Sequence, residues 1–180
     1  MKKKLISPLG LVLTLLAVGC GETGQTGDSK GGGTAQVTIA GQTFNVSKVT
    51  FSYAFGEDGY FRIEGDDAAH PDQDCMPDAV GVSGIALYGE LPATVTSLGD
   101  LKGRELPIEF TGDGDEANLC FVGSNGLLGV EAGTLRFTAI DGDKASFTFS
   151  GDFIIYDGKG GESPAVPASG SGTAQEISPS

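Results

Sequence analysis

Apolar side chains recur at every second position in short runs between residues 35 and 157, and Gly and Asp interrupt these runs. The segment Tyr60–Glu64 shows the pattern, with Phe61 and Ile63 separated by polar neighbours. A period of two is typical of a β-strand with one buried face. Apart from one helical turn within 96–103, no segment has the period of an amphipathic helix. The pattern therefore predicts about nine short strands.

The strand register of the first hairpin can be predicted from the pattern alone. A two-residue loop at Ala40 and Gly41 places Val37 opposite Phe44 and puts both side chains on the apolar face. The apolar phase slips by one residue at Ser47 and Lys48, which predicts a β-bulge or a corner at that point.

The second hairpin is the clearest signal in the chain. Phe137 and Phe147 lie on alternating apolar stretches that flank 141–143. A three-residue loop over 141–143 sets these two rings opposite each other, whereas a two-residue loop at 141–142 would mix the two faces.

These strands predict a single all-β domain over 35–157, either an antiparallel β-sandwich or a β-barrel, and the pattern leaves both open. All ten Phe and all four Tyr fall between Phe44 and Tyr156, so the aromatic core has the same limits. Residues 20–34 are rich in Gly and hold no large apolar side chain, which predicts a flexible tether. Residues 158–180 are rich in Pro, Gly and Ser, which predicts a disordered tail.

The N-terminus has the parts of a secretory signal peptide: three lysines, a short apolar stretch and small residues before Cys20. Ala17-Val18-Gly19-Cys20 resembles the lipobox of bacterial lipoproteins. The resemblance implies cleavage after residue 19, lipidation of Cys20 and anchoring in the cell envelope. Gly21 and Glu22 follow Cys20, without the aspartate that signals inner-membrane retention, which favours the outer membrane. The alternatives are an ordinary signal peptide or a membrane anchor.

The charge of the chain excludes one class of partner. The whole sequence holds 11 basic and 24 acidic side chains, a formal net charge of −13. Loss of residues 1–19 removes three lysines and no acid, which leaves 8 basic against 24 acidic side chains and a net charge of −16. Such an excess repels nucleic acid, so neither DNA nor RNA is expected as a partner.

Two cysteines remain after lipidation of Cys20, namely Cys75 and Cys120. An even pair in an exported protein predicts a disulfide bond, and two buried thiols are the alternative. The bond would close a loop of about 46 residues and stabilise the fold by about 4 kcal/mol on the chain-entropy model.

Acidic residues cluster in two predicted loops, where several oxygens together could hold a hard cation such as calcium. The EF-hand spacing is absent, and Asp is also a common turn residue in acidic proteins, so the default expectation is no cofactor. The candidate ligands are Asp66, Asp67, Asp72, Asp74, Asp113, Asp115 and Glu116.

The sequence lacks the residues of a recognisable enzyme. His70 is the only histidine, so both a zinc site and a Ser-His-Asp set would depend on it. We therefore expect a non-enzymatic binding or adhesion module that is held at the membrane by its lipid. The alternative is a structural or accessory envelope protein that packs against another outer-membrane component, and a small secreted hydrolase is a third option. No ligand or partner can be named from the sequence.

Overall fold

The computed structural model describes residues 32–73, 83–108, 117–124, 126–155 and 164–177. Its strands form one sheet, and the connection after β4 contains a short 3-10 helix, Leu98–Leu101. No helix of these residues is long and apolar enough to cross a membrane. The strands are β1 (Gly33–Ile39), β2 (Gln42–Ala54), β3 (Tyr60–Asp67), β4 (Gly84–Glu90), β5 (Glu105–Ile108), β6 (Asn118–Cys120), β7 (Leu127–Asp141), β8 (Lys144–Ile155) and β9 (Val166–Glu176).

The sheet closes on itself and forms an antiparallel β-barrel that is eight strands around. The order is β5-β7-β6-β4-β3-β2-β1-β9-β8, and the pairing of β7 with β8 completes the ring. The short strands β6 and β5 share one edge of β7, where β6 covers 127–129 and β5 covers 133–136. The only parallel ladder between these strands is a two-residue contact of β2 with β9 beyond the start of β1. Of the two predicted architectures, the chain therefore adopts the barrel.

Large side chains fill the barrel interior, since closure points one face of every strand inward. Phe51, Phe61 and Phe137 meet near its centre, with ring centroids 5.1 Å apart for Phe51 and Phe137 and 6.0 Å apart for Phe61 and Phe137. All three rings are buried. Any binding surface formed by the described residues must therefore lie on the outer wall or at the ends of the barrel.

The first hairpin has the predicted register. Val37 lies opposite Phe44, and the turn residues Ala40 and Gly41 both have positive φ angles, 49° and 85°. Two positive φ values in a two-residue loop match the right-handed twist of the strands. The predicted bulge is also confirmed: Lys48 has φ 51°, and the pairing of β2 with β3 shifts between Ser47 and Thr50.

The second hairpin has the predicted pairing but not the predicted loop. Phe137 lies opposite Phe147. However, Asp141 pairs with Lys144, so the loop has two residues, 142–143, rather than three. The register shifts between Phe137 and Ala139, and this bulge supplies the extra residue that the longer loop was expected to provide.

The prediction of a disordered C-terminal tail is wrong for Val166–Glu176. These residues form β9, which pairs with β1 on one side and with β8 on the other. Its inward positions are small: a Cβ at Gly170 would overlap the Phe149 ring, and one at Gly172 would overlap Ala35. Side chains of the neighbouring strands fill this part of the core. The sequence of β9 therefore lacks the run of large apolar residues that would have predicted a strand. Pro164, Ala165 and Ile177 flank β9, and the remaining residues of the predicted tail, 158–163 and 178–180, lie outside the described residues.

Candidate functional site

The acidic residues proposed as calcium ligands do not converge where the structure describes them. Asp66 forms an ion pair with Lys48, with Nζ and Oδ2 3.0 Å apart. Asp67 is buried, whereas Asp72 is exposed. The described residues contain no group of three or more His, Cys, Asp or Glu side chains that could hold a metal ion. The calcium hypothesis stays untested, because the remaining candidates lie outside the described residues: Asp74, Asp113, Asp115 and Glu116.

Asp67 instead anchors the connection that follows β3. Its Oδ1 accepts a hydrogen bond from the Ala69 amide at 2.9 Å, and its Oδ2 lies 3.2 Å from Nδ1 of His70. The Val122 amide also donates to Oδ2, at 3.4 Å. A buried carboxylate needs such partners to offset the loss of water. Asp67 therefore ties the start of the loop to the chain beyond β6, 55 residues away in sequence.

The His70–Asp67 pair resembles part of a hydrolytic triad, but the nearby serine does not complete it. Ser83 is buried, and its hydroxyl donates to the main-chain oxygen of His70 at 2.9 Å rather than to the imidazole. A nucleophilic serine needs its oxygen within reach of the imidazole base. The contacts of Ser83 support a structural role, in which it holds the two ends of the β3–β4 connection together.

Cys120 is the last residue of β6 and takes part in a disulfide bond. The other two cysteines, Cys20 and Cys75, lie outside the described residues, so the pairing with Cys75 stays a prediction. The surrounding backbone is compatible with that pairing. The Ser83 amide donates to the Gln73 carbonyl at 3.1 Å, and the next residue after Ser83 is the pairing partner of Cys120. Gln73, two positions before Cys75 in the sequence, is therefore hydrogen-bonded next to the pairing partner of Cys120.

A shallow groove of about 570 Å³ crosses the outer wall of the barrel over β2, β3, β4 and β6. Its floor is low because Gly84 and Ala86 present little side chain there. Gly84 has φ 145°, and a Cβ at this position would overlap the Gly65 carbonyl oxygen. Only glycine fits this close approach of two strands. The local backbone therefore keeps the groove open.

Two ion pairs line the groove, each formed by one basic and one acidic side chain. Lys48 contacts Asp66 at 3.0 Å, and Nη2 of Arg62 contacts Oε1 of Glu64 at 2.8 Å. The hydrogen bond and the charge of Asp66 raise the pKa of the Lys48 ammonium above its ordinary value of 10.5. All four side chains keep contact with solvent, with exposed fractions from 29% to 66%. Such exposed ion pairs add little to the stability of the fold. Their charged atoms can therefore contact a ligand at little cost to folding.

An aromatic pair extends the groove along the strands. Tyr60 and Tyr88 lie on neighbouring strands with ring centroids 6.1 Å apart and an angle of 22° between the rings. Together with Ser52, Arg62 and Glu64 they line a second hollow of about 320 Å³. Since Arg62 and Glu64 line both hollows, the two form one continuous surface, which we call the tyrosine groove.

Sequence reasoning missed most of the tyrosine groove. It named Asp66 as a candidate calcium ligand but gave no role to Tyr60, Arg62 or Glu64. One signal was available, because these three residues alternate with the buried Phe61 and Ile63 and must therefore lie on the outer face. Which strands would flank them could not be read from the sequence.

Comparison with known proteins gives no family for this chain: no protein-family model, no curated protein and no solved structure matches it.

Proposed function

We propose that the protein is a lipid-anchored protein of the bacterial outer membrane that binds a ligand non-covalently in the tyrosine groove. The observation that carries the binding role is the groove itself, which combines an aromatic pair, two ion pairs and a floor kept low by glycine. Binding sites are concave and hold a few convergent polar groups beside aromatic surface. A groove on the outer wall needs no opening of the filled barrel.

The anchor in this proposal is Cys20, as the lipobox resemblance implies. The first described residue, Gly32, lies against the backbone of Lys48, at one side of the tyrosine groove. Eleven residues, 21–31, separate Cys20 from Gly32, and a Gly-rich linker of that length would span roughly 20 Å. Lipidation of Cys20 would therefore hold the groove close to the membrane surface.

The alternative of an accessory protein that packs through an apolar patch has less support. Of the large apolar side chains in the described part of the chain, only Ile177 is exposed, at 45%. An interface core needs a contiguous apolar area rather than one side chain. The absence of an enzymatic role is part of the same proposal and rests on the contacts of Ser83 and His70.

Co-sedimentation tests the binding role. The chain from residue 21 onward keeps every strand and is mixed with outer-membrane fragments or cell-wall sacculi of the host bacterium. We expect it to pellet with one of them, and Arg62→Ala to lower the bound fraction. The matched control is Arg136→Ala, since Arg136 is an exposed arginine on the outer face of β7 away from the groove. Equal binding by both variants would refute the groove as the site.

Metabolic labelling with radioactive palmitate tests the anchor separately. Wild-type protein should carry the label and stay with the membrane fraction, whereas Cys20→Ser should carry none. Label on the Cys20→Ser variant, or none on the wild type, would overturn the lipid-anchor proposal and leave the groove proposal untouched.

A further inference from the structure

We propose that the ligand of the tyrosine groove is a glycan, a chain of polyhydroxylated sugar rings with no requirement for net charge. The inference rests on the proposed binding function and deepens it by naming the ligand class. It is drawn from the charge pattern of the groove, from the tyrosine pair and from the pairing of the strands beneath them.

The charge pattern favours a ligand that both donates and accepts hydrogen bonds. Each cation of the groove already has its own carboxylate, Lys48 with Asp66 and Arg62 with Glu64. An anionic ligand would meet a carboxylate beside every cation. A cationic ligand would meet a lysine or arginine beside every carboxylate. A sugar hydroxyl can donate to a carboxylate and accept from an arginine or lysine N–H without separating either pair. Hydrogen bonds to ionised groups are also stronger than neutral ones.

The aromatic pair supplies the apolar part of the same recognition. A sugar ring has a C–H face that packs against an aromatic ring, and tyrosine adds a hydroxyl at its rim. Tyr60 and Tyr88 are both half-buried, and both line the second hollow. Their neighbours Ser52, Arg62 and Glu64 place polar groups around the rings.

The shape suits a chain of several sugars. Outward-facing positions of β3 from Tyr60 to Asp66 line the groove from end to end. The six steps from residue 60 to residue 66 of an extended strand cover about 20 Å. The low floor at Gly84 and Ala86 continues this path beside Asp66 and Glu64. A short oligosaccharide could therefore contact the tyrosines and both ion pairs at once.

An extended peptide is the less suitable occupant of this surface. Peptides commonly bind a β-protein by adding a strand to a free sheet edge. Under the groove, β3 pairs with β2 on one side and with β4 on the other, so it offers no free edge. Peptide binding would have to rely on side-chain pockets alone, and the groove is shallow.

The test is chemical treatment of the envelope fraction to which the protein binds. Periodate cleaves the vicinal diols of neutral sugars, a muramidase cleaves the N-acetylated glycan of sacculi, which has no vicinal diol within its chain, and proteinase K removes protein. We expect either periodate or the muramidase to abolish co-sedimentation of the chain from residue 21 and proteinase K to leave it unchanged. Binding that survives both glycan treatments and is lost after proteinase K would overturn the glycan inference and leave the binding function standing. Failure to bind untreated envelope would count against both.

Defined probes then test the site directly. Isothermal titration with soluble tetrasaccharides of glucose and of N-acetylglucosamine, and with polygalacturonate as the anionic case, should show binding of at least one neutral glycan. Tyr88→Val keeps a strand-forming residue and should weaken that binding by roughly tenfold or more, the effect of losing one central contact. Arg136→Ala should bind as the wild type does. Binding of polygalacturonate alone, or equal affinity in Tyr88→Val, would refute the proposed recognition.

Discussion

Replacement of Asp67 tests whether one buried carboxylate holds the β3–β4 connection to the barrel. Asp67 is 2% exposed and accepts from Ala69, His70 and Val122 at 2.9, 3.2 and 3.4 Å. Asp67→Ala leaves the two main-chain N–H groups without this acceptor. A hydrogen bond to a charged group contributes about 1.5–3 kcal/mol, and the long Val122 contact adds least. We therefore expect a loss of about 3 kcal/mol.

Asp67→Asn should have a smaller effect, because its single oxygen can still accept from Ala69 while the amide NH₂ faces the Val122 N–H. The expected loss is about 1–2 kcal/mol. Urea unfolding of the chain from residue 21, followed by circular dichroism, measures both variants. The control is Asp72→Asn, an exposed acid of the same loop, which should change stability by no more than about 0.5 kcal/mol. If Asp67→Ala stays within that same limit, the anchoring role of Asp67 is wrong.

Further predictions concern the glycine floor, the last strand and a part-buried tyrosine hydroxyl. Gly84→Ala should lower the free energy of unfolding, measured in urea, by about 1–3 kcal/mol or more, because φ 145° and the overlap with the neighbouring strand act together. The control is Gly142→Ala, at φ 59° with open space around it, which should lower the free energy of unfolding by less. Truncation after residue 163 removes β9 and should abolish the cooperative thermal transition, since β1 and β8 lose their shared neighbour. Burial, and then the hydrogen bond to Glu176, raise the pKa of Tyr53 above 10.0. The folded chain thus holds this proton more tightly than the unfolded chain, and the stabilisation present below pH 10 should fade as pH rises through the native pKa. Unfolding from pH 9 to 12 measures this loss, and a pH dependence of Tyr53→Phe equal to that of the wild type would contradict it.

The disulfide offers a simple check of chain connectivity. Non-reducing peptide mapping should recover one cross-linked peptide that contains Cys75 and Cys120. Reduction should lower the melting temperature, because the closed loop restricts the unfolded chain. A free thiol at Cys75 would contradict the predicted pairing.

The sequence by itself determined the local features of this protein. Alternation in steps of two assigned the buried and outward faces of each strand, as Phe61 and Ile63 show. The Ala40–Gly41 turn fixed the first register, since a two-residue loop leaves only one pairing that keeps apolar side chains on one face. These features depend on residues a few positions apart, so a local pattern can encode them.

Only the tertiary structure decided how the strands join. The closure of the barrel requires β9, whose inward alanines and glycines fit because Phe149 and Ala35 occupy the space beside them. The tyrosine groove combines residues of four strands, and Asp67 finds Val122 across 55 residues of chain. Contacts of this kind depend on the shapes of residues that are far apart in the sequence. The local alternation of apolar and polar residues carries no information about them. For that reason the sequence indicated which side chains face outward but not which of them would meet.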